Sequence, residues 1–191
     1  MKRMSALCYR ISTGWVALAG LLIFLVFSLF TLPAQSSAVT EYDQGMGSPD
    51  TSFFYDAATI QQMAEAYGET GRSAYVHARW TFDLAFPFVY TFFFLTAVSF
   101  ILKRVNFHQT RWSFLNLTPL LGFIFDLSEN ASASAVMSAY PNDNGWAAVL
   151  APIFTPLKWV MIGFAFMLLL YGLGRWLFDW ICRRKAFNKA G

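Results

Sequence analysis

Charged residues are scarce in this sequence. Only 13% of its 191 residues are Asp, Glu, Lys or Arg, whereas 57% are hydrophobic and 19% are aromatic. A soluble domain carries about a quarter of its residues as charges. The shortage therefore excludes an ordinary soluble protein and indicates a chain that is surrounded by lipid.

Cysteine and histidine are nearly absent as well. Cys8 and Cys182 stand alone, without a C-x-x-C pair, which excludes a disulfide framework and a thiol redox motif. Both histidines lie outside the long apolar stretches, so zinc and di-iron sites are not expected. Hard-cation ligation by Asp83, Asp126 and Glu129 stays open, but the sequence predicts no metal site and indicates no cofactor.

Four long apolar stretches follow one another along the chain. A helix needs about 20 mostly apolar residues to cross a hydrocarbon core roughly 30 Å thick. The stretches of this length are 14–32, 82–102, 114–137 and 147–173. They predict an all-α protein, a four-helix transmembrane bundle that forms one integral membrane domain over residues 1–191.

Basic residues are distributed unevenly between the ends of these stretches. They cluster before the first stretch, between the second and third, and after the fourth, while the other two connections are acidic or nearly uncharged. Cytoplasmic loops carry an excess of Lys and Arg. The pattern predicts a multi-pass protein of the plasma membrane with both termini in the cytoplasm, and it argues against a nucleic-acid partner.

The first loop, residues 33–80, contains a helical pattern. Asp56 is a suitable N-cap and Gly68 a suitable helix end. The apolar positions between them repeat at helical spacing and are Ile60, Met63 and Tyr67. We expect a short amphipathic helix that lies on the outer membrane surface or covers the bundle, followed by a longer helix over 73–103.

Four ionisable residues interrupt the predicted crossings. They are Asp83, Asp126, Glu129 and Lys158. Such residues are costly in lipid and usually face the interior of a bundle. Because the third helix runs outward and the fourth inward, Asp126 and Lys158 lie at similar depth. We therefore expect one polar site near the outer leaflet, with Asp126, Glu129 and Lys158 as candidate acid-base residues.

Further polar or aromatic residues fall on the same helix faces. Asn130 follows Asp126 by four residues and shares its face. A second stripe runs along the helix that leads into the second crossing, and Trp159 adjoins Lys158. The candidate binding residues are Asp83, Asn130, Arg79, Arg72, Tyr75 and Trp159.

These charges allow two interpretations. In the first, they pair across helices for packing alone. The pairs would be Lys158 with Asp126 or Glu129 and Arg79 with Asp83. In the second, three carboxylates and one lysine leave an excess of two negative charges unless Arg79 or Arg72 reaches in. Protonation of a carboxyl group or a bound cation would resolve that excess, and a buried carboxylic acid can act as a general acid.

Short motifs resemble those of a family of small four-span prokaryotic membrane proteins. They are G-E-x-G-R-x-x-Y at 68–75, preceded by Tyr55, F-D-x-x-E-N at 125–130 and F-T-x-x-K-W at 154–159, with Asp83, Pro87 and Tyr140-Pro141 between them. The resemblance covers most of residues 55–159. It implies a four-helix fold and singles out Asp126, Glu129, Asn130 and Lys158, but it implies no activity. The layout is also similar to that of the emopamil-binding (EXPERA) proteins, without a shared motif.

Three functions remain open from the sequence. The first is a binding or accessory membrane protein whose polar network serves packing or partner recognition. The second is a membrane enzyme that acts on a lipid or isoprenoid-like substrate by acid-base chemistry. The third is a transporter or a cation or proton conductor, most readily as a homo-oligomer, which the apolar inner half of the bundle disfavours. A closed, paired cluster favours the first function, and a pocket open to the outer leaflet favours the second.

Overall fold

The computed structural model describes residues 2–31, 33, 37, 41–50, 52–142 and 144–190, with the backbone alone for residues 82 and 186–190. The helices with described bounds are α1 (Lys2–Ile11), α2 (Gly14–Val26), α3 (Ala57–Trp80), α4 (Phe82–Arg104), α5 (Thr118–Ala139) and α6 (Gly145–Ala190). A π-helical turn, Phe27–Thr31, extends α2, and two 3₁₀ turns, Phe107–Gln109 and Ser113–Leu117, lie between α4 and α5. The described residues contain no strand, which confirms the all-α prediction for them.

Three segments within the described residues are long and apolar enough to cross a membrane. They are Gly14–Thr31, Ala57–Arg104 and Gly145–Lys185, and each contains an 18-residue window with a mean hydropathy of 2.3, 2.0 and 1.9, respectively. They indicate a membrane protein. The predicted third crossing forms helix α5, but α5 is not one of these segments, because Asp126, Glu129 and Asn130 interrupt its apolar residues. A crossing by α5 therefore stays a prediction.

The first loop is more helical than the sequence predicts. The expected short helix and the start of the next helix both lie within α3, where a kink at Gly68 (φ 63°, ψ −179°) separates them. Glycine adopts this positive φ without a Cβ clash, so the break falls at the predicted position. The expected continuous helix over 73–103 is instead divided between α3 and α4, with Thr81 (φ −114°, ψ −76°) between them. Asp56 caps α3 as predicted, because its carboxylate accepts a hydrogen bond of 2.8 Å from the N–H of Thr59. The apolar face of α3 packs on α5 and α6.

Two predicted helix ends differ from the observed ones. Helix α5 begins at Thr118 rather than 114, since Pro119 favours the first turn of a helix. Helix α6 continues to Ala190, well past the predicted end at 173. Its 46 residues span about 69 Å, more than twice the hydrocarbon thickness. Beyond Gly174 the sequence has neither Gly nor Pro before its last residue, so nothing in it stops the helix.

The sequence did not predict helix α1. This helix is held by a cluster of hydrogen-bonded polar side chains at the end of the bundle where α4 ends. Ser5 Oγ donates a hydrogen bond to Oδ1 of Asn116 at 2.7 Å, and Nδ2 of Asn116 donates to Oγ of Ser99 at 3.0 Å. The hydroxyl of Tyr9 donates to the carbonyl of Ser113 at 2.9 Å. Buried polar groups of this kind fix the position of α1 against α4 and the second 3₁₀ turn.

Helix α6 approaches α4 closely at Gly172. A Cβ at this position would lie 2.8 Å from Cγ2 of Ile101, well inside an ordinary carbon contact. Gly174, on the same helix, has no heavy atom within 4 Å of such a Cβ. Small residues let helices approach one another in lipid, so the two glycines are expected to respond differently to substitution.

The substitution Gly172→Val should lower the free energy of unfolding by about 1–3 kcal/mol, because the added side chain overpacks the contact with Ile101. Gly174→Val is the matched control and should change stability by no more than about 0.5 kcal/mol. Unfolding of both variants in mixed detergent micelles, followed by circular dichroism, measures the difference. Equal losses would contradict a close contact at Gly172.

Candidate functional site

The candidate acid-base residues meet inside the bundle, between α5 and α6. Nζ of Lys158 lies 2.5 Å from Oε2 of Glu129 and 4.0 Å from Oδ1 of Asp126. The exposed fractions of the Lys158, Glu129 and Asp126 side chains are 6%, 1% and 10%. Lys158 therefore forms a close ion pair with Glu129 and a longer electrostatic contact with Asp126, in agreement with their predicted similarity in depth.

Hydroxyl groups provide further partners for both carboxylates. The hydroxyl of Tyr90 on α4 donates to Oδ2 of Asp126 at 3.0 Å. The hydroxyl of Thr155 donates to Oε1 of Glu129 at 2.9 Å and lies 3.1 Å from the hydroxyl of Tyr55. Thr155 precedes Lys158 by three residues on α6 and therefore shares its face. Each carboxylate that faces Lys158 thus also has an uncharged partner.

A second buried cation, Arg79, holds two more carboxylates. Its Nη1 lies 3.0 Å from Oδ2 of Asp50, and its Nε lies 3.1 Å from Oδ2 of Asp83. Only 4% of the Arg79 side chain is exposed, and its guanidinium carbon lies 4.6 Å from the centroid of the Tyr75 ring, where the face of the ring attracts a cation. The predicted pair of Arg79 and Asp83 is confirmed, whereas the participation of Asp50 was not predicted.

Asp50 reaches Arg79 because residues 41–50 fold onto α3 and α6. These residues are here called the exterior segment, after the side of the membrane that the sequence predicts for them. The two carboxylate oxygens of Asp43 accept hydrogen bonds of 3.0 and 3.2 Å from the N–H groups of two following glycines, which closes a compact turn. The hydroxyl of Tyr67 donates to a carbonyl of this turn at 2.5 Å. Nε1 of Trp159 donates to the carbonyl of Asp50 at 3.4 Å.

Burial and charge act in opposite directions on Asp50. Burial raises the pKa of its carboxyl group, but the nearby charges of Arg79 and Lys158 and a hydrogen bond from Ser48 outweigh this effect and lower the pKa from 3.8 to about 2. Asp50 is therefore ionised at neutral pH. Burial raises the pKa of the Tyr55 hydroxyl, so this group stays neutral beside Thr155.

Carboxylates outnumber cations at this site. The six charged residues, here called the ion-pair cluster, are Asp50, Asp83, Asp126, Glu129, Arg79 and Lys158. The sequence predicted an excess of two negative charges unless Arg79 or Arg72 reached in. Arg79 does lie in the cluster, but Asp50 lies there as well, and its negative charge offsets the positive charge of Arg79. The formal excess of the cluster is therefore unchanged.

Arg72 lies apart from the ion-pair cluster. Its Nη1 donates to the carbonyl of Ala64 at 2.8 Å, and its guanidinium carbon lies 4.6 Å from the ring centroid of Tyr140. It lines a groove of about 670 Å³ beside α3, together with His77 and Met137. The structure thus divides the candidate residues between a buried cluster and an outer groove.

Asn130 and Trp159 flank the cluster in different ways. Asn130 is buried on α5, and within the described part of the chain its Nδ2 has no hydrogen-bond partner. Trp159 is 39% exposed. Nζ of Lys158 lies 5.3 Å from its ring centroid, so the indole lies beside the ammonium group while its Nε1 contacts the exterior segment.

Among the described residues, no group of three or more His, Cys, Asp or Glu side chains could hold a metal ion. No family model, curated protein or solved structure matches this chain. The roles of the cluster residues are therefore inferred from their contacts and chemistry. The arrangement joins five elements, since α3, α4, α5, α6 and the exterior segment each contribute a charge.

Proposed function

We propose that the protein is a small multi-pass membrane protein of the binding or accessory type, in which the ion-pair cluster fixes the outer surface for recognition of a partner. The observation that carries this proposal is the mutual pairing of the buried charges. Lys158 pairs with Glu129, and Arg79 pairs with Asp50 and Asp83. A buried pair of this kind favours one arrangement of helices and loops over the alternatives, because each alternative arrangement leaves a charge unpaired.

The part that the cluster holds in place is the outer surface formed by the exterior segment and α3. Asp50 connects the exterior segment to α3 through its ion pair with Arg79, and Trp159 connects it to α6 through a hydrogen bond. The apolar face of α3 packs on α5 and α6 through a buried core that includes Ile60 and Met63. A surface fixed by both charge and packing presents a constant shape, which lowers the conformational entropy lost when a partner binds.

Four crossings with both termini in the cytoplasm form part of this proposal. The support for a crossing by α5 is its contact with α6 at several levels. A Cβ at Gly122 would lie 3.3 Å from Ile162, Asp126 and Glu129 face Lys158, and Ala133 packs in the same core as Ala147 and Ala151. A helix that accompanies α6 in this way enters the bilayer with it, and its polar residues are then covered by protein rather than lipid. The basic residues at the opposite end of the bundle support the orientation.

A membrane enzyme for a lipid or isoprenoid-like substrate is the second candidate, favoured by the excess of carboxylates. Asp126 and Glu129 share one lysine, and Glu129 is connected through Thr155 to Tyr55 next to the exterior segment. Carboxyl groups held close together in a low-dielectric site can act as an acid and a base in one reaction. If the protein is such an enzyme, Glu129 contacts the substrate or transfers a proton to or from it. A neutral residue at this position cannot perform that role.

The two candidates differ in their response to neutralisation of the inner charges. The triple variant Asp126→Asn, Glu129→Gln and Lys158→Met keeps the side-chain shapes and removes all three charges together, so no charge is left buried without a partner. We expect it to restore growth and membrane lipid composition in a deletion strain to the wild-type level. Growth rate and lipid profiles measure this outcome, with membrane abundance of the protein as the check on folding.

A catalytic role for Glu129 predicts the opposite result. A triple variant that is as abundant and as stable as the wild type, yet fails to complement, would reject the accessory function and favour the enzyme. Glu129→Asp is the matched control, since it retains a carboxylate while shortening the side chain. An enzyme keeps part of its activity in this control and loses it in the triple variant.

A further inference from the structure

The end of the bundle opposite the exterior segment carries a strong excess of positive charge. This basic end consists of α1, the last turn of α4 with the loop that follows it, and α6 beyond Gly172. Among the side chains that the structure describes there, α1 contributes three Lys or Arg residues, α4 and its loop three, and α6 four, whereas Asp179 is the sole acid. A net charge of this size attracts an anionic surface within a Debye length of about 8 Å at physiological ionic strength.

The same end exposes apolar side chains on α6. Past Gly172 most of the exposed apolar residues recur at helical spacing and form one stripe, consisting of Leu173, Trp176, Leu177, Trp180 and Ile181, whereas Phe178 lies outside it. The charges of Arg175 and Asp179 pair at 3.5 Å on the other side of the helix. Helix α6 is therefore amphipathic beyond the point where it leaves the bundle.

Helix α1 repeats this arrangement at the same end. Its buried face consists of Ser5, Cys8 and Tyr9, whereas its apolar Met4, Leu7 and Ile11 are exposed. A surface helix in water would place the apolar residues against the bundle. Exposed apolar residues beside basic ones are typical of a helix that lies in a membrane interface.

Three arginines at the basic end lie over aromatic rings. Arg104 lies 5.0 Å from the ring centroid of Phe100, Arg111 lies 5.1 Å from that of Trp112, and Arg184 lies 5.0 Å from that of Trp180. Aromatic rings prefer the headgroup level of a bilayer, and a guanidinium group binds phosphate through several parallel donors. The pairs come from three different parts of the chain, so each of these parts contributes a guanidinium group to the basic end.

From these observations we infer that the basic end is a binding surface for anionic phospholipid headgroups. The stripe on α6 and the exposed face of α1 contact the acyl chains, and the neighbouring Arg and Lys side chains contact the phosphates. A second copy of the chain is a poor occupant for this surface, because two basic ends would then face one another. The surface lies far from the ion-pair cluster, so it does not depend on the role of that cluster.

The preference for anionic lipid can be measured by tryptophan quenching. The full chain in dodecyl maltoside micelles is titrated with brominated phosphatidylglycerol or brominated phosphatidylcholine. Wild-type emission should fall at a lower mole fraction of the anionic lipid, and 0.5 M NaCl should weaken that preference. Each basic side chain near an anionic surface contributes about fivefold to the affinity for that surface. The variant Arg183→Gln, Arg184→Gln and Lys185→Gln should therefore reduce the preference for the anionic lipid by roughly tenfold or more.

The control for the aromatic contribution is Trp146→Phe, at the other end of α6. Trp146 is also exposed, but its loss should leave the difference between the two lipids unchanged, whereas Trp180→Phe should reduce it. Equal quenching by both lipids in the wild type would overturn the inference. So would complete cross-linking of Leu177→Cys between two copies, in a Cys182→Ser background, in vesicles that contain phosphatidylglycerol, because a second copy would then cover the stripe.

Discussion

Lys158→Met is expected to lower the free energy of unfolding by about 3–5 kcal/mol, the largest effect of any single substitution considered for this chain. Lys158 is the cation closest to both Glu129 and Asp126, and its loss leaves two buried carboxylates without their ion-pair partner. Methionine fills nearly the same volume, so the loss reports on charge rather than on a cavity. Chemical unfolding in mixed micelles provides the measurement.

Two comparisons separate this effect from a general intolerance of substitution. Lys185→Met replaces an exposed lysine on the same helix and should change stability by no more than about 0.5 kcal/mol. Adding Asp126→Asn and Glu129→Gln to Lys158→Met should recover most of the lost stability, because no uncompensated charge is then buried. If the triple variant is no more stable than the single one, the loss of stability in Lys158→Met does not come from carboxylates left without a cation.

The helical architecture was predictable where apolar residues run for about 20 positions. Gly14–Thr31 forms a segment with a mean hydropathy of 2.3 that agrees closely with the predicted range 14–32. Helix α1 was not predicted, because ten residues with Ser5, Cys8 and Tyr9 on the buried face lack an apolar face toward the bundle. Its position depends on hydrogen bonds to Asn116 and Ser113, which are distant in sequence and leave no periodic signal.

The ion-pair cluster was predictable only in part, for a related reason. Asp126, Glu129 and Lys158 were found because ionisable residues in a crossing are rare and helical spacing sets their depth. Tyr90 follows Asp83 by seven residues on α4 and shares its face, which is the side of α4 that contacts Asp126. Asp50 had no such signal, since a loop carboxylate looks like any exterior acid until the fold brings it 3.0 Å from Arg79.

The participation of Asp50 changes what the cluster holds together. A cluster limited to α3, α4, α5 and α6 would stabilise helix packing alone. With Asp50 included, the same charges also decide whether the exterior segment lies against the bundle, and Trp159 adds a hydrogen bond to this contact. In the proposed orientation, a partner or substrate that approaches the cluster from the outer side therefore meets the exterior segment first.

Arg79→Met is expected to release the exterior segment while leaving most of the helical bundle folded. The substitution removes the cation from Asp50 and Asp83, whose side chains are 23% and 15% exposed. Asp50 can turn toward water, so we expect a loss of about 3 kcal/mol, at the low end of the range for a broken buried pair. Hydrogen exchange of residues 41–50 should accelerate by roughly a hundredfold for that loss, whereas exchange in α2 should stay unchanged.

Acid should release the same segment in the wild type, because protonation of Asp50 removes its attraction to Arg79. The pKa of Asp50 is lowered from 3.8 to about 2 in the folded protein, which corresponds to stabilisation on the order of 2 kcal/mol. That stabilisation is complete above about pH 4 and disappears as the pH falls through 2. In Asp50→Asn, the amide hydrogens of residues 41–50 should exchange faster than in the wild type at neutral pH. Their exchange should also lack this part of the pH dependence. Identical acid profiles for Asp50→Asn and the wild type would show that another group controls the segment.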